Sequence, residues 1–196
     1  MKHPRATRER ILDAAEALLR RHGPAKMTVV DLAHALDMSH ANVYRHFASK
    51  AELQDALIER WLRALSDSLA RTARRPGPAA KRLEDWVLAL VAATRRTALD
   101  DPELFAAYRA AADAARDVVD AHLASGRAQL VGIIRDGIAR GEFAVRDPNA
   151  AAAAVMDATL RFYHPHCALE IADRAAKRQA RRVLGLLIAG LRAGAL

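Results

Sequence analysis

Apolar residues recur along this chain at three- and four-residue spacing, and no sustained stretch alternates with period two. Helices are therefore the regular element the pattern predicts. From Thr7 to Arg21, Ile11, Ala15, Leu18 and Leu19 lie on one side, and Gly23 followed by Pro24 ends the run. Residues 1–6 precede it as a basic arm expected to be disordered. Val29, Leu32, Ala33 and Leu36 then mark a two-turn helix that stops at Asp37, and Met38, Val43 and Phe47 give the inward side of a second short one. A fourth helix opens at Ser49 and carries Leu53, Leu57, Trp61, Leu65 and Leu69 until Pro76-Gly77-Pro78 breaks it.

A fifth helix is expected over residues 80–97, with Leu83, Trp86, Val87, Leu90 and Val91 inward. Asp101-Pro102-Glu103 is a start signal, with Asp as cap, Pro at the first helical position and an acid at the positive dipole end; that helix ends near Asp113. The next, from about Ala115 to Arg140, stops at Gly141. Gly126 and Gly137 inside it cost about 1 kcal/mol each relative to Ala unless neighbouring backbones approach closely. Asp147-Pro148 repeats the start signal, and the last helix spans about Ala172 to Leu191. The expected fold class is all-α, with about nine helices. By spacing alone, the helices at 149–163 and 172–191 either close the core of a monomer or pair with those of another copy.

The densest local signal is Thr28 to Lys50. Thr28, Ser39 and Ser49 each stand just ahead of a helical run, where a hydroxyl accepts first-turn N–H groups, and Asp31 and Glu52 sit three residues beyond the first and last of them. The second short helix leaves His40, Ala41, Asn42, Tyr44, Arg45 and His46 mostly outward. That face is small, polar and aromatic, with few acids. Two short helices joined by a tight turn, the second with such a face, describe a helix-turn-helix whose second helix enters a major groove.

Thr28-Val29-Val30-Asp31-Leu32-Ala33, Met38-Ser39, Val43-Tyr44-Arg45-His46-Phe47, Ser49-Lys50 and Glu52-Leu53 closely resemble the DNA-binding motif of the TetR family of bacterial transcriptional regulators. The likeness covers roughly the first 60 residues; beyond them it is one of length and helical layout. It departs at the turn, where the family usually carries Gly and this chain has Asp37, a residue that tolerates left-handed backbone better than most. The resemblance implies a helix-turn-helix DNA-binding domain at 1–52 and a helical ligand-binding and dimerisation domain at 53–196. It also implies a homodimer through the helices at 149–163 and 172–191, a double-stranded operator as partner, and a small-molecule effector of unknown identity. On the reading face, Asn42 suits adenine and an inward-pointing Arg45 guanine, Ala41 allows close approach beside His40, and Thr28 and Ser39 offer donors to phosphate. Tyr44, His46 and Lys50 resemble the family's phosphate contacts.

Charge fits that picture. The formal net charge is +8, and within the first 50 residues nine Lys and Arg stand against five Asp and Glu. A basic balance favours polyanions but says nothing of fold. The single cysteine, Cys167, cannot staple a monomer, the N-terminus lacks the apolar core of a secretory signal, and no apolar stretch spans a bilayer, so a cytoplasmic protein is expected. The resemblance places an effector pocket among the later helices. Trp86, Phe105, Tyr108, Arg109, His122, Met156, Thr159, Phe162 and Tyr163 are its candidate lining, with Arg109 as charge partner for an acidic ligand; at helical spacing the same aromatics also serve as plain core. His164, His166 and Cys167 invite a metal reading, but Pro165 sets an irregular backbone and a stable zinc site needs about four ligands, so no metal or other cofactor is expected. No P-loop, G-x-S-x-G or H-E-x-x-H occurs, which favours a regulator over the alternative, a helical small-molecule carrier or enzyme whose basic N-terminal unit is incidental.

Overall fold

The computed structural model describes residues 4–114, 117–170 and 173–195. Among these, nine α-helices and one 3₁₀ turn account for the regular structure, so the chain is all-α as the spacing predicts. In chain order they are α1 (Pro4–Lys26), α2 (Val29–Ala35), α3 (His40–Tyr44), α4 (Lys50–Ala73), α5 (Ala79–Asp100), α6 (Pro102–Asp113), α7 (Asp117–Ala139), α8 (Pro148–Thr159) and α9 (Asp173–Ala193). The expected arm is corrected in part. Residues 1–3 lie outside the described residues, but α1 begins at Pro4, where proline's fixed φ and missing N–H suit a first turn. The starts expected near Ala115 and Ala172 also fall outside the described residues.

Two compact units divide the chain. Residues 1–62 with 97–119 form one, and residues 63–96 with 120–196 the other. In the first, α1 packs against α2 and α6. Ile11, Ala15, Leu19, Leu32, Val43, Phe47, Leu53 and Leu57 are buried there, which is why the three short amphipathic helices hold together. Arg60 on α4 reaches Asp13 at 2.6 Å, pairs with Glu16 and donates to the Leu12 carbonyl, fixing α4 along α1. Gly23 breaks the α1 path at φ 78°, ψ 166°, a conformation that costs glycine little. A Cβ at that position would come within 2.5 Å of Glu103 Oε2 on α6, so the break is also a close approach.

Asp101 behaves differently from its expected role. It occupies the N-cap position of α6 but makes no side-chain cap hydrogen bond; its carboxylate instead accepts from Arg20 Nε at 2.7 Å. That hydrogen bond leads the causes that raise the Arg20 pKa. Asp147 does cap, its Oδ1 accepting from the N–H groups of Asn149 at 2.8 Å and Ala150 at 3.2 Å.

The second unit encloses a core of Leu83, Trp86, Val87, Leu90 and Val91 from α5, Leu130, Ile133 and Ile134 from α7, and Val155 and Met156 from α8, with Leu184 and Leu191 from α9. The α7 glycines answer to packing. A Cβ at Gly137 would collide with the Phe143 ring and come within 2.9 Å of the Ala79 Cβ, and one at Gly126 would stand 3.4 Å from Trp86. The sequence cost of glycine in a helix is thus offset by contact that a side chain would prevent.

Candidate nucleic-acid interface

Three hydroxyl caps set the reader. Thr28 Oγ1 accepts from Asp31 N at 3.1 Å, Ser39 Oγ from Asn42 N at 3.2 Å, and Ser49 Oγ from Glu52 N at 3.1 Å. Each start is therefore fixed by chemistry local to its own turn. The expected acids reinforce two of them: Thr28 donates its hydroxyl to Asp31 Oδ2 at 2.6 Å, and Glu52 Oε2 accepts from Ala48 N at 2.6 Å. Between the first two starts, Asp37 takes φ 51°. Its N–H donates to His34 O at 3.2 Å and that of Met38 to Ala33 O at 2.9 Å, a Schellman closure of α2. The aspartate thus holds the left-handed position without glycine.

With Val43 and Phe47 buried, α3 has one face available. His40, Ala41, Tyr44 and Arg45 are exposed, Tyr44 to 49%, while Asn42 and His46 are half-buried. Ser39 is exposed at the helix start, and Thr28 is exposed with its proton engaged by Asp31. Lys50 is half-buried and turns back, its Nζ donating to Ala25 O at 3.2 Å. One turn on, Gln54 Nε2 donates to Pro24 O at 3.1 Å, so the two side chains pin α4 to the end of α1. Arg8 lies 4.7 Å from the Phe47 ring centroid, a cation–π contact beside the reader. Neither the Gln54 staple nor the Arg8 contact was anticipated; the i, i+4 spacing of Lys50 and Gln54 was the only local hint.

Residues 11–57 match the family described as bacterial regulatory proteins of the tetR family, and residues 79–184, more than half of the chain, match the tetracyclin repressor-like C-terminal domain. The chain belongs to the TetR family. The HTH-type transcriptional regulator TtgR of Pseudomonas putida is 38% identical to it over 65 residues, 33% of this chain and 30% of that protein. The match thus spans less than a third of that curated relative. A TetR-family regulator from Mesorhizobium loti has the same fold, with a TM-score of 0.74 at 18% identity over 96% of this chain and 98% of that one. The transcriptional regulator FadR from Bacillus subtilis, solved in complex with stearoyl-CoA, has a TM-score of 0.64 at 17% identity over 93% of this chain and 98% of that one.

In this TetR-family chain the candidate effector residues divide between the two units. Phe105 and Tyr108 are buried in the first, where Trp61 meets the Tyr108 ring edge-on at 5.1 Å, and Arg109 on the same helix is exposed. Burial pushes the Tyr108 hydroxyl above the usual phenol range. The second holds Trp86, Met156, Thr159, Phe162 and Tyr163, all buried, with His122 half-buried. Their polar atoms are engaged within the unit: Thr159 Oγ1 donates to Val155 O at 2.6 Å and Tyr163 Oη to Met156 O at 2.9 Å. Trp86 Nε1 donates to Gln129 Oε1 at 2.9 Å, Gln129 Nε2 donates to Ser66 O at 3.1 Å, and Ser66 Oγ stands 2.9 Å from His122 Nδ1. Two clefts in this unit are lined by other side chains, one along α7 with Leu123 and Arg127 and one at the turn between α4 and α5. The His164 and His166 rings stack at 5.6 Å, and among the described residues no group of three or more His, Cys, Asp or Glu is arranged to hold a metal. No helix among them is long and apolar enough to cross a membrane.

Proposed function

We propose that this chain is a ligand-responsive transcriptional regulator, a repressor that holds a palindromic operator as a homodimer and releases it when a small molecule binds. The observation that carries this reading is the free face of α3, where Ala41, Tyr44 and Arg45 are exposed beside a half-buried Asn42 while Val43 and Phe47 anchor the helix from behind. Two copies of that helix, about one DNA turn apart, read two half-sites. Asn42 pairs with an adenine edge and Arg45 with guanine. Tyr44, His46 and Lys50, with the helix-start N–H groups behind Thr28 and Ser39, hold phosphates and set register. Residues 1–52 supply this reader, and residues 53–196 supply ligand binding and self-association. The tetracyclin repressor-like match over 79–184 supports the repressor role, and the stearoyl-CoA complex of FadR supports a small-molecule effector.

The effector acts through α4, the helix that runs from residue 50 in one unit to residue 73 in the other. Release requires the ligand to favour one arrangement of the readers over the other, since equal affinity for both shifts nothing.

Footprinting on genomic fragments tests the reading. A short protected palindrome is the expected pattern, and uniform coverage at low salt would replace it with architectural binding. Asn42→Ala should relax discrimination at one position per half-site by about 1–3 kcal/mol and leave affinity for random duplex intact. Equal losses on operator and random duplex would remove Asn42 from the reading role.

A further inference from the structure

Where α4 ends and α5 begins, against the second half of α7, the second unit carries an open cleft of about 600 Å³. Four arginines line it, Arg74, Arg75, Arg82 and Arg140, against one carboxylate, that of Asp136. The rest of its wall is Gln129 and small or apolar residues, Pro76 and Ile133 among them. Exposed arginines at the end of a helix are commonly explained by the dipole, and Arg74 and Arg75 follow the last turn of α4.

For Arg82 that explanation covers one nitrogen only, the Nη1 that caps the last residue of α4. Arg82 sits in the first turn of α5, the wrong end for a cation, and its side chain is only 7% exposed. Its Nη1 donates to Ala73 O at 2.9 Å and to Asp136 Oδ2 at 3.0 Å, which accounts for one nitrogen. Nε and Nη2 have no hydrogen-bond partner among the described residues. Leaving two donors of a buried guanidinium unpaired is costly. Those two nitrogens form one planar edge of the guanidinium, the edge that matches two oxygens of a carboxylate or phosphate. As they stand both nitrogens are closed to solvent, so binding there requires the guanidinium to turn about its last torsions towards the cleft that the side chain lines.

We propose that this cleft binds a small organic acid, its oxyanion head on Arg82 with Arg74, Arg75 and Arg140 around it and its apolar part against Pro76 and Ile133. The volume suits a compact ligand. None of the aromatic residues considered above lines this cleft, although Trp86 is hydrogen-bonded to its wall residue Gln129, and the site stands whether or not the chain binds an operator.

The test titrates ¹⁵N-labelled full-length protein with sodium hexanoate and, separately, with inorganic phosphate, each against sodium chloride at equal ionic strength. Arginine Nε–Hε signals are read, with Arg82 identified by its loss in Arg82→Lys. Saturable movement of the Arg82 signal is expected with at least one probe and none with chloride. Saturation by hexanoate identifies a carboxylate head, and saturation by phosphate a phosphate head. Because Arg82 variants risk the fold, Arg140→Gln, at an exposed position, serves as the second variant. It gives up one exposed hydrogen bond, from Nη1 to Gly77 O at 3.1 Å, so the unliganded melting temperature should change little while binding weakens about three- to tenfold. A response to neither probe, a response matched by chloride, or unchanged affinity in Arg140→Gln overturns the site. None of these outcomes alters the footprint, so the two readings fail separately.

Discussion

Asp37 carries a left-handed φ of 51° in the turn that aims α3. For most L-residues that conformation costs roughly 1–2 kcal/mol, and for Asp less. Asp37→Gly should therefore hold or raise stability by under about 1 kcal/mol, while Asp37→Val, β-branched, should lose at least 1–2 kcal/mol. Denaturant midpoints check both, and a neutral valine would mean the turn is not held as described. The two kinds of α7 glycine give a sharper contrast. Gly137→Ala must displace Phe143 and Ala79, whereas a Cβ at Gly132 meets nothing within 4 Å. The first should destabilise by about 1–3 kcal/mol and the second stabilise by roughly 0.5–1 kcal/mol. Changes of the same sign would refute the packing account. Sequence alone does not separate two such positions, because helix propensity is local while the atom that fills a glycine's space comes from elsewhere in the chain.

Helix starts and stops were legible for the same reason that glycine packing was not. Thr28, Ser39, Ser49 and Asp147 satisfy N–H groups two or three residues away, so sequence spacing contains the whole interaction. Asp101 shows the limit: its pattern is that of a cap, yet its partner is Arg20, 81 residues distant. No local pattern announces such a choice. Nor does one announce how α7 is held in the second unit, through His122 to Ser66 on α4 and through Gln129 to Trp86 on α5. Burial lowers the His122 pKa to about 4, so this element favours the neutral ring. The unfolded chain, with an ordinary value near 6.5, binds more protons between those limits. The stabilising effect is complete above pH about 6.5 and is lost as pH falls towards 4, amounting to at most roughly 3 kcal/mol. His122→Gln keeps a hydrogen-bonding group for Ser66 and cannot titrate there. Between pH 7 and 4 it should lose less stability than the parent by up to that amount. Parallel losses would show that the ring titrates normally.

At the scale of the whole molecule, amphipathic faces state that a partner exists without naming it. The grouping of α6 with α1 in one compact unit was invisible for that reason, since the face bearing Leu104, Phe105 and Tyr108 fits any apolar surface. The helix α9 leaves apolar surface exposed. On α9, Leu186 is 77% exposed beside Gly185 and Ala189, and Leu160 just after α8 is 41% exposed. In a two-fold pairing each such leucine is buried twice, once per copy, contributing about 1.5–3 kcal/mol each time, and the small neighbours let the helices approach. Leu186→Glu would set two like charges near that axis. In sedimentation the parent should run at twice the 21.4 kDa chain mass and the variant at 21.4 kDa, with cooperative unfolding preserved because residue 186 is outside the core. Affinity for a palindrome should fall by on the order of 10²-fold as the second half-site stops being held in place, while affinity for a single half-site stays at the parent value. A variant that keeps the double mass would assign self-association to another surface. A parent that runs at single mass would make α8 and α9 the closing layer of a monomer and leave the operator to be read by one helix at a time.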